Sequence, residues 1–594
     1  MTISYSLRRL LEALPAGRHA DARRRFARHE AVLADRLQRL YGHLPGHAVW
    51  FDNLMAGVGQ LMAARPAALQ ALDAAREDDP RWFCSPDMLG YSAYVDRLGG
   101  KLSGDLRGVA QRIPHLRELG VTYLHLLPFL RPRAGENDGG FAVASFDEVD
   151  PRFGTMADLE DLTASLREAG ISLCADLILN HVADDHPWAQ GALTGDTAMR
   201  AFFHVLDEDK AQAYERTLGQ VFPQAAPGNF THVPAMGGWV WTTFYPFQWD
   251  LNYANPAVFE AVAAALLRLA NRGIDVFRLD STAFLWKRLG TDCMNQPEAH
   301  WLLQALRAIV DIAAPGVLLK AEAIVPTREL PAYFGAAQAP ECHLAYHSTL
   351  MTAGWAALAE GDAGLVRAVA AATPPLPPGA SWLTYVRCHD DIGWKHLQAE
   401  AGSIERVAAV AHFYNDGASY AAGTGFQGGL ATNGTAAALC GYDGSDDALR
   451  RLLLVHGLAL CFGGLPVLYM GDELAMANDD SYVSDPAKAH DSRWIQRAPF
   501  DEARYAQRDD AATPAGRAYA GLRRLIQLRR QTPDLAAGVP CTVLPVGDPA
   551  LLALARGERF LGLFNFSGRT LTVDLAAYGR AGTVTLAPWD QAWL

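Results

Sequence analysis

The stretch ISLCADLILNH, residues 171–181, decides the reading of the fold. It is an almost continuous apolar run, interrupted by Asp176 and closed by Asn180 and His181. Such a run fits a strand of a parallel sheet, which is covered on both faces. Similar runs lie on either side: MLGYSAYV (88–95), VTYLHLLPF (121–129), IDVFRLD (274–280), VLLKAEA (317–323), HLAYHSTL (343–350), WLTYVRCHD (382–390) and LPVLYMGDE (465–473). Helical patterns such as LRGVAQRIPHLRELG (106–120) and PAVFEAVAAALLRLANRG (256–273) separate them. Eight strand–helix units predict an α/β chain folded as a (β/α)8 TIM barrel.

Working outward, residues 1–84 carry apolar residues at three- and four-residue steps, as in DARRRFARHEAVLADRLQRLYGHL, and predict a helical N-terminal module whose charged faces are solvated. The barrel is expected over 85–180, 255–393 and 449–534. Two connections are too long for simple loops, 181–254 after the third strand and 394–448 after the seventh, and insertions there lie on the catalytic face. Short β-rich runs from 535 to 594 (CTVLPV, RFLGLFNFS, TLTVDL, TVTLAPW) predict a small antiparallel C-terminal domain. The uncharged run LLLVHGLALCFGGLPVLYM (452–470) is broken by Gly463, Gly464 and Pro466, so it reads as a buried helix, a turn and a buried strand, not a membrane span.

The chain has 594 residues, and its 52 Lys+Arg against 65 Asp+Glu leave a net charge of −13, which argues against a nucleic-acid partner. Half of the residues are hydrophobic, which excludes disorder. The 8 cysteines are scattered without a C-x-x-C pair, and the N-terminus MTISYSLRRLLEALPAG has no continuous apolar core of a secretory signal. A reducing, cytoplasmic location without membrane attachment is expected.

Polar residues end the strands. The third ends on Asp176, Asn180 and His181, the fourth on Arg278 and Asp280, the fifth on Glu322, the seventh on His389, Asp390 and Asp391. Parallel strands deliver these to one mouth of the barrel, and because burying several like charges is costly without partners, a purely structural role explains the set poorly. Arg278 and Asp280 are two apart and face the same side of their strand, where the cation favours an ionised Asp280. Acidic neighbours are expected to raise the pKa of Glu322 and suit it to general acid work. Two such carboxyls about 5–5.5 Å apart give glycoside cleavage with retention. His181 and His186 do not form an H-E-x-x-H pair, and no metal or cofactor is expected.

DLILNH, FRLD, the Glu of KAEAIV and CHDD resemble the four motifs of glycoside hydrolase family 13, the α-amylase family. DGGFAVASF, WVWTTFYPFQWDLNY, AEAIVP, YVRCHDDIGW, NGTAAAL and GGLPVLYMGDE resemble its amylosucrase and sucrose hydrolase subfamily, over about 80–530. The resemblance implies Asp280 as nucleophile, Glu322 as acid/base and Asp390 as a transition-state stabiliser gripping glucosyl hydroxyls, with His181, His389 and Arg278 around the same ring. It implies that Asp138 and Arg493 close the pocket floor by a salt bridge. Phe141, where the family has Tyr, and Phe244 would line that pocket, and Asp391, Ile324, Val325 and Gln427 the fructosyl side. Amylosucrase holds its glucan acceptor with arginines; the matching positions here are Gly219, Ala431 and Ile404. The expectation is therefore hydrolysis of sucrose. The alternatives are amylosucrase-type polymerisation, another α-glucosidase or transglucosidase specificity, and a non-catalytic binding barrel. The expected partner is a small α-glucoside, the expected state a monomer or homodimer.

Overall fold

The computed structural model describes residues 4–223, 225–323, 325–417, 419–426, 429–486 and 488–594. Among them, eight parallel strands close into a barrel in sequential order. These are β1 (Gly90–Ala93), β2 (Tyr123–Leu126), β3 (Ser172–Ile178), β4 (Val276–Asp280), β5 (Leu318–Ala321), β6 (Leu344–Tyr346), β7 (Ser381–Tyr385) and β8 (Leu465–Tyr469). Every expected strand run overlaps one of them, and only β7 begins a residue earlier than its run. The α/β barrel reading therefore holds, and β3 is buried along its whole length, as strands covered on both faces must be.

The connecting helices follow the apolar periodicity. Pro256–Asn271 starts at an Asn255 cap and buries Val258, Val262, Leu266 and Leu269. The pattern at 106–120 forms two helices, Leu106–Gln111 and Ile113–Leu119, instead of one. Pro114, in the first turn of the second, has no N–H to continue the first helix's ladder. The uncharged run at 452–470 lies within the helix Asp446–Cys461 and the strand β8. No helix among the described residues is long and apolar enough to cross a membrane.

The N-terminal helices include His19–Tyr41, His47–Ala63 and Ala67–Asp78. Phe26, Leu33 and Leu37 of the first are buried, and Tyr41 donates to the Tyr253 carbonyl at 2.9 Å, tying the module to the barrel. After β3 come short antiparallel strands, among them Phe230–Val233 paired with Gly238–Trp241. After β7, Ala431–Asn433 pairs with both Ile392–Gly393 and Thr424–Gly425. At the C-terminal end, Cys541–Val543, Leu551–Arg556, Phe560–Asn565 and Gln591–Trp593 form one antiparallel sheet, and Leu571–Asp574 with Thr583–Leu586 a second. Leu551–Arg556, central to the first, was not singled out by the sequence reading, because its apolar run shows no alternation.

Candidate active site

The ends of β3, β4 and β5 meet through one chain of charges. Asp176 pairs with Arg278 across the β3–β4 ladder, and Arg278 Nη1 donates to Asp176 Oδ1 at 2.6 Å and to Asp280 Oδ1 at 2.8 Å. His125 Nε2 lies 2.9 Å from the second Asp176 oxygen. The next residue, Ser281, has φ 56°, a conformation that non-glycine residues adopt at a cost. There its N–H donates to Glu322 Oε2 at 2.9 Å and its hydroxyl to Asp280 Oδ2 at 2.7 Å. One serine thus contacts both carboxyl groups.

The environments of the acids differ. Burial pushes Glu322 up to about 7; Arg278 pulls the other way, and Asp280 and Asp390 add repulsion. The sequence reading named only the acidic neighbours; burial is the larger cause. Burial also opposes ionisation of Asp390, but His389, Arg493, Arg497 and Arg278 together hold it at about 2. Asp391, next in the chain, is pushed up to about 6 by burial and by Asp390. A protonated carboxyl beside a guanidinium-held carboxylate can donate a proton to a glycosidic oxygen while the other attacks carbon.

Arg493 organises the far wall. It is 5% exposed and donates to Asp138 Oδ1 at 2.9 Å, to Asp390 Oδ1 at 3.3 Å, and through Nε to Asp491 Oδ1 at 2.9 Å. Phe141 stacks on His389 with ring centroids 5.4 Å apart and planes at 9°, and Phe244 meets His181 at 5.1 Å.

These residues line one cleft of about 1420 Å³ at the C-terminal mouth of the barrel: Asp138, Phe141, His181, Phe244, Arg278, Asp280, Glu322, Asp390, Asp391 and Arg493. His389 lines the smaller cavity behind it, into which Glu322, Asp390 and Asp391 also reach. Val325 does not belong there: it is 3% exposed and packed in the hydrophobic core, because an apolar side chain just past β5 gains more from that burial than from a polar wall. Ile324 and Gln427 lie outside the described residues. The sequence reading missed Phe222, Phe426 and Lys395 in the cleft wall, and Arg497, whose Nη2 lies 3.7 Å from Asp390 Oδ1. Only Arg497 left a signal, a second arginine four residues after Arg493 in SRWIQR.

Among the described residues, one group brings three possible metal-binding atoms together, Cys388, His389 and Asp390. Burial pushes the Cys388 thiol up to about 12, so without a metal it is a neutral thiol.

The family model for the alpha amylase catalytic domain matches residues 77–390. Trehalose synthase/amylase TreS of Mycobacterium tuberculosis (strain ATCC 25618 / H37Rv) is 31% identical over 410 residues, 68% of this chain and 65% of that protein. The chain thus spans just under two thirds of that relative's length. Glucosylglycerate phosphorylase of Allomeiothermus silvanus is 29% identical over 490 residues, 79% of this chain and 84% of the relative. The crystal structure of sucrose 6F-phosphate phosphorylase from Thermoanaerobacter thermosaccharolyticum shares the fold, with a TM-score of 0.66 at 18% identity over 81% of this chain and 94% of that one. With the family model covering more than half of the sequence and a barrel whose strands end in this set of acids, the chain belongs to the α-amylase family (glycoside hydrolase family 13).

Proposed function

We propose that the protein is a retaining glycoside hydrolase that cleaves sucrose to glucose and fructose through a covalent glucosyl-enzyme. The observation that carries this reading is the wall built by Arg493. A single guanidinium binds Asp138, Asp491 and Asp390, and in this reading that cluster closes the cleft one sugar unit beyond the Asp280–Glu322 pair. A blind end suits a terminal glucosyl unit and excludes the interior of a chain. In this reading Asp280 attacks the anomeric carbon while Glu322, which keeps a large protonated fraction near neutral pH, gives its proton to the departing fructosyl oxygen. Glu322, now a carboxylate, takes a proton from the water that attacks the glucosyl-enzyme. Asp390, held ionised by its cationic neighbours, accepts hydrogen bonds from glucosyl hydroxyls. Sucrose, not another α-glucoside, rests on the motif strings of the sucrose-active subfamily.

Water is favoured over a glucan acceptor because the three positions where a polymerising relative carries arginine hold none. Ala431 lines the cleft, Gly219 is exposed, and Ile404 opens the helix Ile404–Asn415 at the surface. A second reading, transfer to a small or anionic acceptor, draws on the exposed Lys395 in the cleft wall and on relatives named as a trehalose synthase and phosphorylases.

Two measurements test the proposal. Incubation with sucrose alone is expected to release glucose and fructose in equal amounts, with and without added inorganic phosphate. Insoluble glucan, an isomeric disaccharide, or glucose 1-phosphate as the main product would replace hydrolysis by the corresponding transfer. Arg493→Ala leaves three carboxylates around a missing cation, a defect worth about 3–5 kcal/mol when a buried pair is broken. It is expected to raise KM for sucrose at least about tenfold and to admit longer maltooligosaccharides. An unchanged preference for sucrose would remove the blind-end argument.

A further inference from the structure

The run DARRRFARHE (21–30) places Arg24, Arg25 and Arg28 on the helix His19–Tyr41. The sequence reading treats its charged face as solvated. Two of the arginines are committed: Arg24 Nη1 and Arg25 Nε each donate to Glu77 at 2.9 Å. Arg28 instead borders a second large cleft, of about 1420 Å³, between the helical module and the N-terminal end of the barrel. This is the end opposite the strand-terminal acids.

Cations outnumber anions in its lining. Glu77 is held by Arg24 and Arg25. Asp311 takes Arg307 Nε on both oxygens at 2.9 Å. Arg76 is bound to Asp275 at 2.7 Å and lies over the Trp82 ring, 3.9 Å from its centroid. Arg28 and Arg81, both exposed, make no side-chain ion pair with an acid among the described residues; Arg81 lies near the Cys84 thiol. In a chain of net charge −13, two uncompensated guanidinium groups beside one cavity form a local positive field.

His343 supplies a third donor. It is 7% exposed and lines the cleft. Its Nδ1 accepts the Leu319 N–H at 3.0 Å, so in the neutral ring the hydrogen sits on Nε2. Nε2 has no hydrogen-bond partner among the described residues. Nε2 is not sealed from solvent, so it can donate to an acceptor in the cleft, whether water or a ligand. Trp82, Phe334, Pro377 and Pro378 give the same cleft apolar walls.

We propose that this cleft is a binding site for a small organic phosphate, with the phosphoryl group on Arg28, Arg81 and His343 and the organic part against Trp82 and Phe334. Guanidinium forks match phosphoryl oxygens better than any other side chain does. A sugar phosphate and a nucleotide share this chemistry, and the experiment separates them.

Calorimetric titration of the full chain with glucose 6-phosphate, with ATP, with glucose and with sodium sulfate at matched ionic strength tests the site. Saturable binding of one of the two organic phosphates is expected, at least about tenfold tighter than sulfate, with none for glucose at this site. The Arg28→Ala/Arg81→Ala double variant, whose substitutions lie far from the Asp280–Glu322 pair, is expected to lose that binding at least about tenfold while keeping its sucrose turnover. His343→Gln, which retains a donor, is expected to bind more tightly than His343→Leu. Absence of binding by both organic phosphates, equal affinity for sulfate, or an unchanged affinity in the double variant would each overturn the proposal.

Discussion

Asp280→Asn is expected to leave the barrel folded and to lower sucrose turnover by on the order of 10⁴-fold or more, the scale found when a covalent nucleophile is lost. The fold survives because the amide oxygen can still accept from Arg278 Nη1, which now lies 2.8 Å from Asp280 Oδ1. The Ser281 hydroxyl, a donor to Asp280 at present, can rotate to accept from the new amide N–H. An unchanged thermal transition together with lost turnover separates chemistry from folding. Turnover within tenfold of the parent would remove Asp280 from the role of nucleophile.

Glu322→Gln is expected to lower sucrose hydrolysis by about 10²–10⁴-fold and to spare α-glucosyl fluoride in the first step, because fluoride leaves with little help from a proton. Equal losses on both substrates would contradict the acid role. The same residue sets a pH limb. Its carboxyl is raised to about 7 by burial, so the protonated form the first step needs is depleted as pH rises through 7. For the parent enzyme kcat/KM on sucrose is therefore expected to fall above about pH 7, and the glucosyl fluoride profile to fall less. Stability follows with the same sign. The folded pKa lies above the ordinary carboxyl value, so this group's contribution is full below about 4.5 and is lost as pH rises through 7. Glu322→Gln should flatten that alkaline decline in thermal stability, whatever it does to catalysis.

The barrel and the acids of its mouth were legible in the sequence for a local reason. A strand places residues two apart on one face, and parallel strands all end at the same side, so RLD at 278–280, Glu322 and HDD at 389–391 could be assigned to one mouth without any knowledge of packing. The resemblance of the motif strings added Asp138 and Arg493, which are 355 positions apart and meet at 2.9 Å. No local pattern connects them.

Other features needed the folded chain. Phe222 and Phe426 come from the two long insertions, whose course over the mouth follows from how each insertion packs, not from periodicity. Val325 lies within a matched motif string, yet its side chain turns into the core. The pKa of Glu322 was expected to rise because of its neighbours, but it rises mainly because the mouth is desolvated, a property of the assembled walls. Arg28 reads as one more charge on a solvated helix until the barrel end is brought against it.

The sequence by itself determined the strand order, the face to which each strand delivers its polar end and the membership of the family, because all three rest on periodicity and short motifs. The tertiary structure alone decided which carboxyls share a cation, how strongly Glu322 holds its proton and which arginines are left without a partner. Those depend on distances between segments far apart in the chain and on the exclusion of water between them, neither of which is written in the order of the residues.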